Sequence, residues 1–237
     1  MLSAAGMVFL ASIVQGAVGF GFGIIALPLL AIVMPQHVPQ VLVILGLISS
    51  LWIVWRDRRD IAWQPASWLA AGRTLGALPG AAFVAIASPA ALDVAFGAVG
   101  AIAVWSVRRP PSGPPPGRPA VVGAGAAAGA MGTATGVGGP PLLYAIGHLS
   151  GHAQRATAGV VFVIGNAVSL VSLGAVGRLT ADDWMLATVL LPALVLGMGV
   201  SNRVAVAWSE NRVRVAIVLL GAVASLFVLA RGIYSAL

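Results

Sequence analysis

The chain contains no cysteine and no lysine, and only 8% of its 237 residues are charged. The absence of cysteine excludes disulfide bonds, thiolate metal sites and cysteine nucleophiles. Since a soluble domain carries about 25% charged residues, this chain has too little charge to cover a water-facing surface of its size. Its thirteen basic residues are all arginine and lie mostly between apolar runs. That distribution argues against nucleic-acid binding.

Hydrophobic residues make up 59% of the chain and fall into long runs separated by charge or proline. Six runs have the roughly 20 residues that a helix needs to cross a bilayer. They are Val38–Trp55, Ala66–Ala87, Ala91–Val107, Ala156–Val176, Trp184–Ala205 and Val213–Tyr234. The sequence therefore predicts an all-α, multi-pass membrane protein.

Two further apolar segments, Leu2–Met34 and Ala120–His148, are interrupted by glycines at corresponding positions. The matched glycines are Gly19 with Gly136 and Gly21 with Gly138. A straight helix over the first segment would be about 50 Å long, which exceeds the thickness of the hydrocarbon core. Backbone freed by such an interruption is tolerated only where it lines a cavity. Interrupted segments at matching positions of two halves therefore indicate a transporter's binding site.

The halves are separated by a linker rich in proline, glycine and arginine, RRPPSGPPPGRPA, which cannot continue a helix. We assign residues 1–107 to a first repeat, 108–119 to a cytoplasmic linker and 120–237 to a second repeat. Each repeat has four segments and starts with an interrupted one. Further matched residues keep the same order: Gly46 with Gly165, Trp63 with Trp184, Gly76 with Gly197, and Gly97–Val99 with Gly221–Val223.

The distribution of arginine bears on the orientation of the two halves. If all eight segments cross, the halves are parallel, and the linker side holds eight loop arginines against four. If each interrupted segment instead enters and leaves the membrane on one face, the halves are inverted. The linker side then holds ten loop arginines, and the other side holds two, Arg178 and Arg231. The positive-inside rule favours the inverted arrangement, with the linker cytoplasmic and both termini outside. The ten are Arg56, Arg58, Arg59, Arg108, Arg109, Arg118, Arg155, Arg203, Arg212 and Arg214.

Glycine-rich runs at the two interruptions allow positive φ and close approach of a ligand to the backbone. A helix that restarts after such a run directs unpaired N–H groups and partial positive charge at the gap, which favours an anion. The alternative is that the glycines only let helices pack closely. The candidate binding residues here are Gly19, Gly21, Phe22, Gly23, Gly136, Gly138 and Gly139.

Arg73 is the strongest single candidate for a binding residue, because it lies about 15 Å into its segment and so near the middle of the membrane. An intramembrane arginine is costly and usually has a partner. The six acidic residues, however, are in or next to loops: Asp57, Asp60, Asp93, Asp182, Asp183 and Glu210. The missing counter-ion suggests that the substrate is the anion. The alternative is that Arg73 snorkels or caps helix carbonyls.

Other polar residues of the apolar segments are Gln15, Ser50, Thr133, Thr135, Asn166 and Ser169. Ser50 and Ser169 occupy matched positions, and Asn166 follows the matched Gly165, so these side chains are candidates to line one cavity. Hydroxyl groups in transmembrane helices alternatively bond their own backbone. Arg155 opens a span beside the second interruption, where it either recruits anions at the cytoplasmic mouth or simply follows from topology.

The three histidines have no metal-ligand spacing, and no catalytic constellation or nucleotide loop is present. We therefore expect neither an enzyme nor a cofactor or metal site.

These motifs resemble the sulfite exporter TauE/SafE family, also called the TSUP transporters, over nearly the whole chain. In the first motif Gly19, Gly21, Gly23 and Pro28 match, with Phe22 where glycine is usual. The second motif is matched by Gly136, Gly138, Gly139, Pro140 and Pro141. The run RATAGVVFVIGNAVSL from Arg155 is similar to an Arg and Asn pattern of one branch, whereas Arg73 is outside the family pattern.

The resemblance implies a secondary carrier of sulfite, sulfonates or related sulfur-containing anions across the inner (plasma) membrane. We expect an ion-coupled or uniporting carrier that works by alternating access at a site between the two interrupted segments. Its expected partners are a small anion, a coupling proton or cation if transport is coupled, and the lipid bilayer, without nucleic acid. Oligomeric state is not indicated. The alternatives are a channel-like anion pathway and a non-transporting membrane scaffold.

Overall fold

The computed structural model describes residues 2–19, 21–108, 114–207, 222–223 and 225–235. All regular elements in these residues are helical, which confirms the predicted class for them. The helices are α1 (Leu2–Val18), α2 (Phe22–Val33), α3 (Val38–Asp57), α4 (Trp63–Ile86), α5 (Pro89–Arg108), α6 (Arg118–Thr135), α7 (Gly139–Ile146), α8 (Gly151–Ala175) and α9 (Ala181–Ala207). Residues 225–235 are also helical.

Five helices of the described residues are long and apolar enough to cross a membrane. They are Pro35–Asp60, Trp63–Ile86, Pro89–Ser106, Gly151–Ala175 and Ala181–Ser201. Each overlaps one of the predicted spans and starts two to five residues earlier, because polar residues and prolines form its first turn. The sixth predicted span, Val213–Tyr234, lies partly outside the described residues.

Helix α1 ends one residue before Gly19, and α6 ends one residue before Gly136. Gly19, Gly21 and Gly136 have positive φ, of 86°, 120° and 78°. Side chains disfavour this conformation, so glycine is the residue that permits both turns. The N–H of Gly136 donates to the carbonyl of Gly132 at 2.8 Å, which closes the last turn of α6.

Two helix pairs, α4 with α6 and α1 with α9, pack closely along their lengths. Small residues form both contacts. A methyl group on Gly76 would meet the carbonyl oxygen of Ala126, and one on Gly197 would meet that of Phe9. Such close approach lets dispersion stabilise helices in a membrane, where no hydrophobic force acts between them.

Helices α3 and α8 pack against each other and run antiparallel, since Gly46 faces Asn166 and Gly159 faces Ile53. At the end of α3, Asp57 accepts from Arg155 near the start of α8, at 3.1 Å. At the other end, His37, just before α3, contacts Asp183 of α9 at 2.7 Å. The candidate site lies between these two ends.

Candidate functional site

A cavity lies where the two glycine interruptions meet the middles of α3 and α8. Its empty volume is about 390 Å³, which includes space open to solvent at its mouth. The predicted residues in its wall are Gln15, Gly21, Phe22, Gly23, Ser50, Gly136, Gly138, Gly139 and Asn166. The structure therefore brings together residues from both interruptions and from α3 and α8.

The two interruptions contact each other directly. A methyl group on Gly23 would lie 2.8 Å from the carbonyl oxygen of Gly136 and 2.9 Å from Val137. On the other side of the first interruption, the Phe22 N–H donates to Gln15 Oε1 at 3.0 Å. Gln15 thus satisfies one of the free N–H groups at the start of α2, and both interruptions form one continuous wall.

Arg73 lies directly behind this wall, with only 1% of its surface exposed. Its Nη2 donates to Asn166 Oδ1 at 2.9 Å, and its Nη1 donates to the Ala128 carbonyl at 3.3 Å. The guanidinium carbon lies 4.9 Å from the centre of the Phe162 ring. No acidic side chain contacts Arg73 in the described part of the chain, so its partners there are neutral. A net positive charge is therefore buried beside the cavity.

Three glycines surround the Arg73 side chain. A methyl group on Gly132, Gly138 or Gly165 would collide with it. Gly132 lies at the end of α6, Gly138 at the second interruption and Gly165 in α8. Because each lacks a side chain, a long charged residue fits into tightly packed helices.

Of the predicted hydroxyl groups, one lies in the cavity wall and three lie outside it. Ser50 lies in the cavity wall and donates to the Gly46 carbonyl at 2.6 Å. Thr133 and Ser169 lie outside that wall and bond each other at 2.7 Å. Thr135 donates to the Met131 carbonyl at 2.8 Å and accepts from the N–H of Val137 at 3.2 Å. The matched Ser50 and Ser169 thus occupy different environments, because Thr133 engages Ser169.

A family model described as sulfite exporter TauE/SafE matches residues 4–228. The chain belongs to the TauE/SafE family. The family consists of membrane transporters of sulfur anions, so this chain is a multi-pass membrane protein of a transporter family, and the predicted resemblance to that family is confirmed. Neither the curated proteins nor the solved structures contain a match.

In this TauE/SafE protein Arg155 lies away from the cavity, at the end of α3. It donates to Asp57, to the Ala17 carbonyl at 3.3 Å and contacts His152 at 2.9 Å. Its side chain also covers Gly19, where a methyl group would collide with it. Recruitment of anions was one of two alternatives for Arg155 in the sequence, and in this conformation Arg155 shares the Asp57 carboxylate with Arg56. The same contacts cap the carbonyl end of α1.

The wall of the TauE/SafE cavity also contains residues that were not predicted, namely Ile24, Leu42, Gly46, Val137 and Phe162. Four of them are apolar, and in a membrane protein apolar side chains are common on every surface. The position of Val137 between two candidate glycines was the one available signal. Gly46 was matched to Gly165, but as a sign of duplication and not of a site.

Proposed function

We propose that this TauE/SafE protein is a secondary transporter of small sulfur-containing oxyanions, such as sulfite or sulfonates. It works by alternating access at the cavity between the two interrupted segments, in the inner membrane. The family supports transport of sulfur anions.

The observation that carries the proposal is the buried Arg73 beside the cavity. Transfer of an unpaired charge into the membrane interior is costly. The hydrogen bonds to Asn166 and Ala128 reduce that cost but leave the charge uncompensated. An anion in the cavity compensates it, and the oxyanion of a sulfur compound accepts several hydrogen bonds at once.

The contacts of α6 support a re-entrant second segment. Helices α4 and α6 run parallel, since Gly72 faces Val122 and Gly80 faces Ala130. Both therefore start at the end of the bundle where α3 finishes. Helix α8 starts at that same end, because Arg155 binds Asp57 there. On this reading α6 and α7 leave from and return to one side of the membrane.

The contacts of α1 support a re-entrant first segment as well, which enters from the opposite side of the membrane. Helices α1 and α9 run parallel, since Phe9 faces Gly197 and Gly16 faces Ser201. Helix α9 starts at the end where α3 starts, because Asp183 contacts His37. We therefore infer that α1 and α2 leave from and return to the opposite side of the membrane.

Matched residues make matched contacts, which supports a duplication. Gly76 and Gly197 were matched by sequence, and they face the carbonyl groups of Ala126 and Phe9. Phe9 and Ala126 are separated by 117 residues, as are Gly19 and Gly136. A two-fold relation between the halves, with its axis in the membrane plane, accounts for this agreement.

The inverted arrangement predicts that the linker is cytoplasmic and that Leu237 is periplasmic. Reporters active on only one side of the membrane, fused after Leu237 and within the linker, will measure both locations. We expect opposite sides because an odd number of crossings separates the two points. A cytoplasmic reporter signal at both positions would contradict the inverted arrangement and favour eight full crossings.

The proposed activity predicts saturable uptake of radiolabelled sulfite into proteoliposomes. Unlabelled sulfite on the far side is expected to accelerate the uptake, because a carrier that alternates exchanges bound substrate in each cycle. Sulfate, methanesulfonate and acetate at equal ionic strength will define selectivity and exclude effects of screening. Non-saturating flux without exchange would favour a channel-like pathway, and no flux with any anion would favour a scaffold.

A further inference from the structure

Arg73 does not itself border the cavity in the described residues. Asn166 and Phe162 do, and both contact the guanidinium group. The terminal nitrogens of Arg73 are engaged by the Asn166 side chain and the Ala128 carbonyl. Its Nε has no hydrogen-bond partner in the described part of the chain and lies against Gly165. Among the residues of the cavity wall, Asn166 is therefore the one to which Arg73 donates a hydrogen bond.

The bond to Arg73 determines the orientation of the Asn166 amide. A guanidinium group only donates, so it must face the oxygen of the amide and not the nitrogen. The Asn166 Nδ2 group then points to the other side, where it lies 3.0 Å from the position of a methyl group on Gly46. Gly46 is part of the cavity wall. No described residue accepts a hydrogen bond from Nδ2.

We propose that Arg73 is a positioning residue, which fixes the Asn166 amide so that its NH₂ group donates to the anion in the cavity. This inference rests on the proposed function. Asn166 is then the group that touches the substrate. Arg73 contributes its charge from behind the wall and polarises the amide, which strengthens the hydrogen bonds that the amide donates.

The test is the affinity of the purified protein for sodium sulfite, measured by calorimetry on single and double variants. Asn166→Ala is expected to weaken binding about tenfold or more, since it removes a hydrogen bond to a charged group. Arg73→Gln should cause a similar loss, because a glutamine no longer imposes one amide orientation. Arg73→Lys should retain affinity within about threefold, since an ammonium group still donates to the amide oxygen.

The double variant Arg73→Gln/Asn166→Ala separates positioning from direct contact. If Arg73 acts through Asn166, the loss in the double variant is smaller than the product of the two single losses, and any loss beyond that of Asn166→Ala alone reports the charge of Arg73. Two independent contacts would instead multiply their losses. Ser172→Ala, six residues further along α8 and outside the cavity wall, is the matched control for changes in that helix.

The results distinguish failure of the positioning role from failure of the proposed function. Suppose that the wild-type protein binds sulfite, that Arg73→Lys binds it as weakly as Arg73→Gln, and that the losses multiply in the double variant. These results would overturn the positioning role and leave the proposed function intact. Wild-type protein that binds none of sulfite, sulfate, methanesulfonate and acetate would overturn the proposed function, and the positioning role with it. Should Arg73→Gln not fold, the comparison of Arg73→Lys with Asn166→Ala decides: equal losses overturn the inference.

Discussion

Replacement of Gly138 by alanine is expected to reduce sulfite affinity at least about tenfold more than replacement of Gly139. The methyl group at 138 would collide with the Arg73 guanidinium and lie 2.7 Å from the Ala128 carbonyl oxygen. The guanidinium must then leave its position against Asn166. At 139 the same methyl group meets no atom within 4 Å. Calorimetry with sodium sulfite on the two purified variants measures the difference.

These neighbouring glycines form a matched pair, because both line the cavity and both lie at the second interruption. Any loss in Gly139→Ala therefore reports crowding of the cavity alone. Size-exclusion profiles in detergent will show whether each variant is folded. Equal affinities in the two folded variants would show that the position of Arg73 has no part in binding.

Much of the fold can be predicted from the sequence because the bilayer imposes a length on each apolar helix. The five spans of the described residues follow from run length alone. Arg73 is conspicuous for a related reason, since a charge within an apolar run is rare and costly. The matched Gly19 and Gly136 both have positive φ, but Gly21 has positive φ and its match Gly138 does not, so similarity of the two interruptions predicts only part of their backbone conformation.

Contacts between distant residues could not be predicted. Asn166 is 93 residues from Arg73, and only the packing of α8 against α4 brings the two side chains together. Asp57 is a second residue whose partner lies far away in the sequence. The sequence places it at a loop, but it is buried against Arg155, 98 residues away. A carboxylate at the end of a span gives no sign in the sequence of which arginine it meets.

Small substitutions at the helix seams are expected to destabilise the protein and to do so equally in both halves. In Gly76→Ala the methyl group would meet the Ala126 carbonyl, and in Gly197→Ala it would meet that of Phe9. Backbone atoms cannot rotate away, so the two helices must separate, at a cost of about 1–3 kcal/mol. The apparent melting temperature of each purified variant in detergent, relative to the unsubstituted protein, measures the effect.

Gly123→Ala in α6 and Gly199→Ala in α9 are the matched controls, because a methyl group at either position meets no atom within 4 Å. Alanine favours a helix over glycine by about 1 kcal/mol, so the controls should leave the melting temperature unchanged or raise it. The sign of the shift thus separates packing from helix propensity. Loss of stability at Gly76 but not at Gly197 would show that the two seams are not equivalent, and would remove the support that they give to a two-fold relation between the halves.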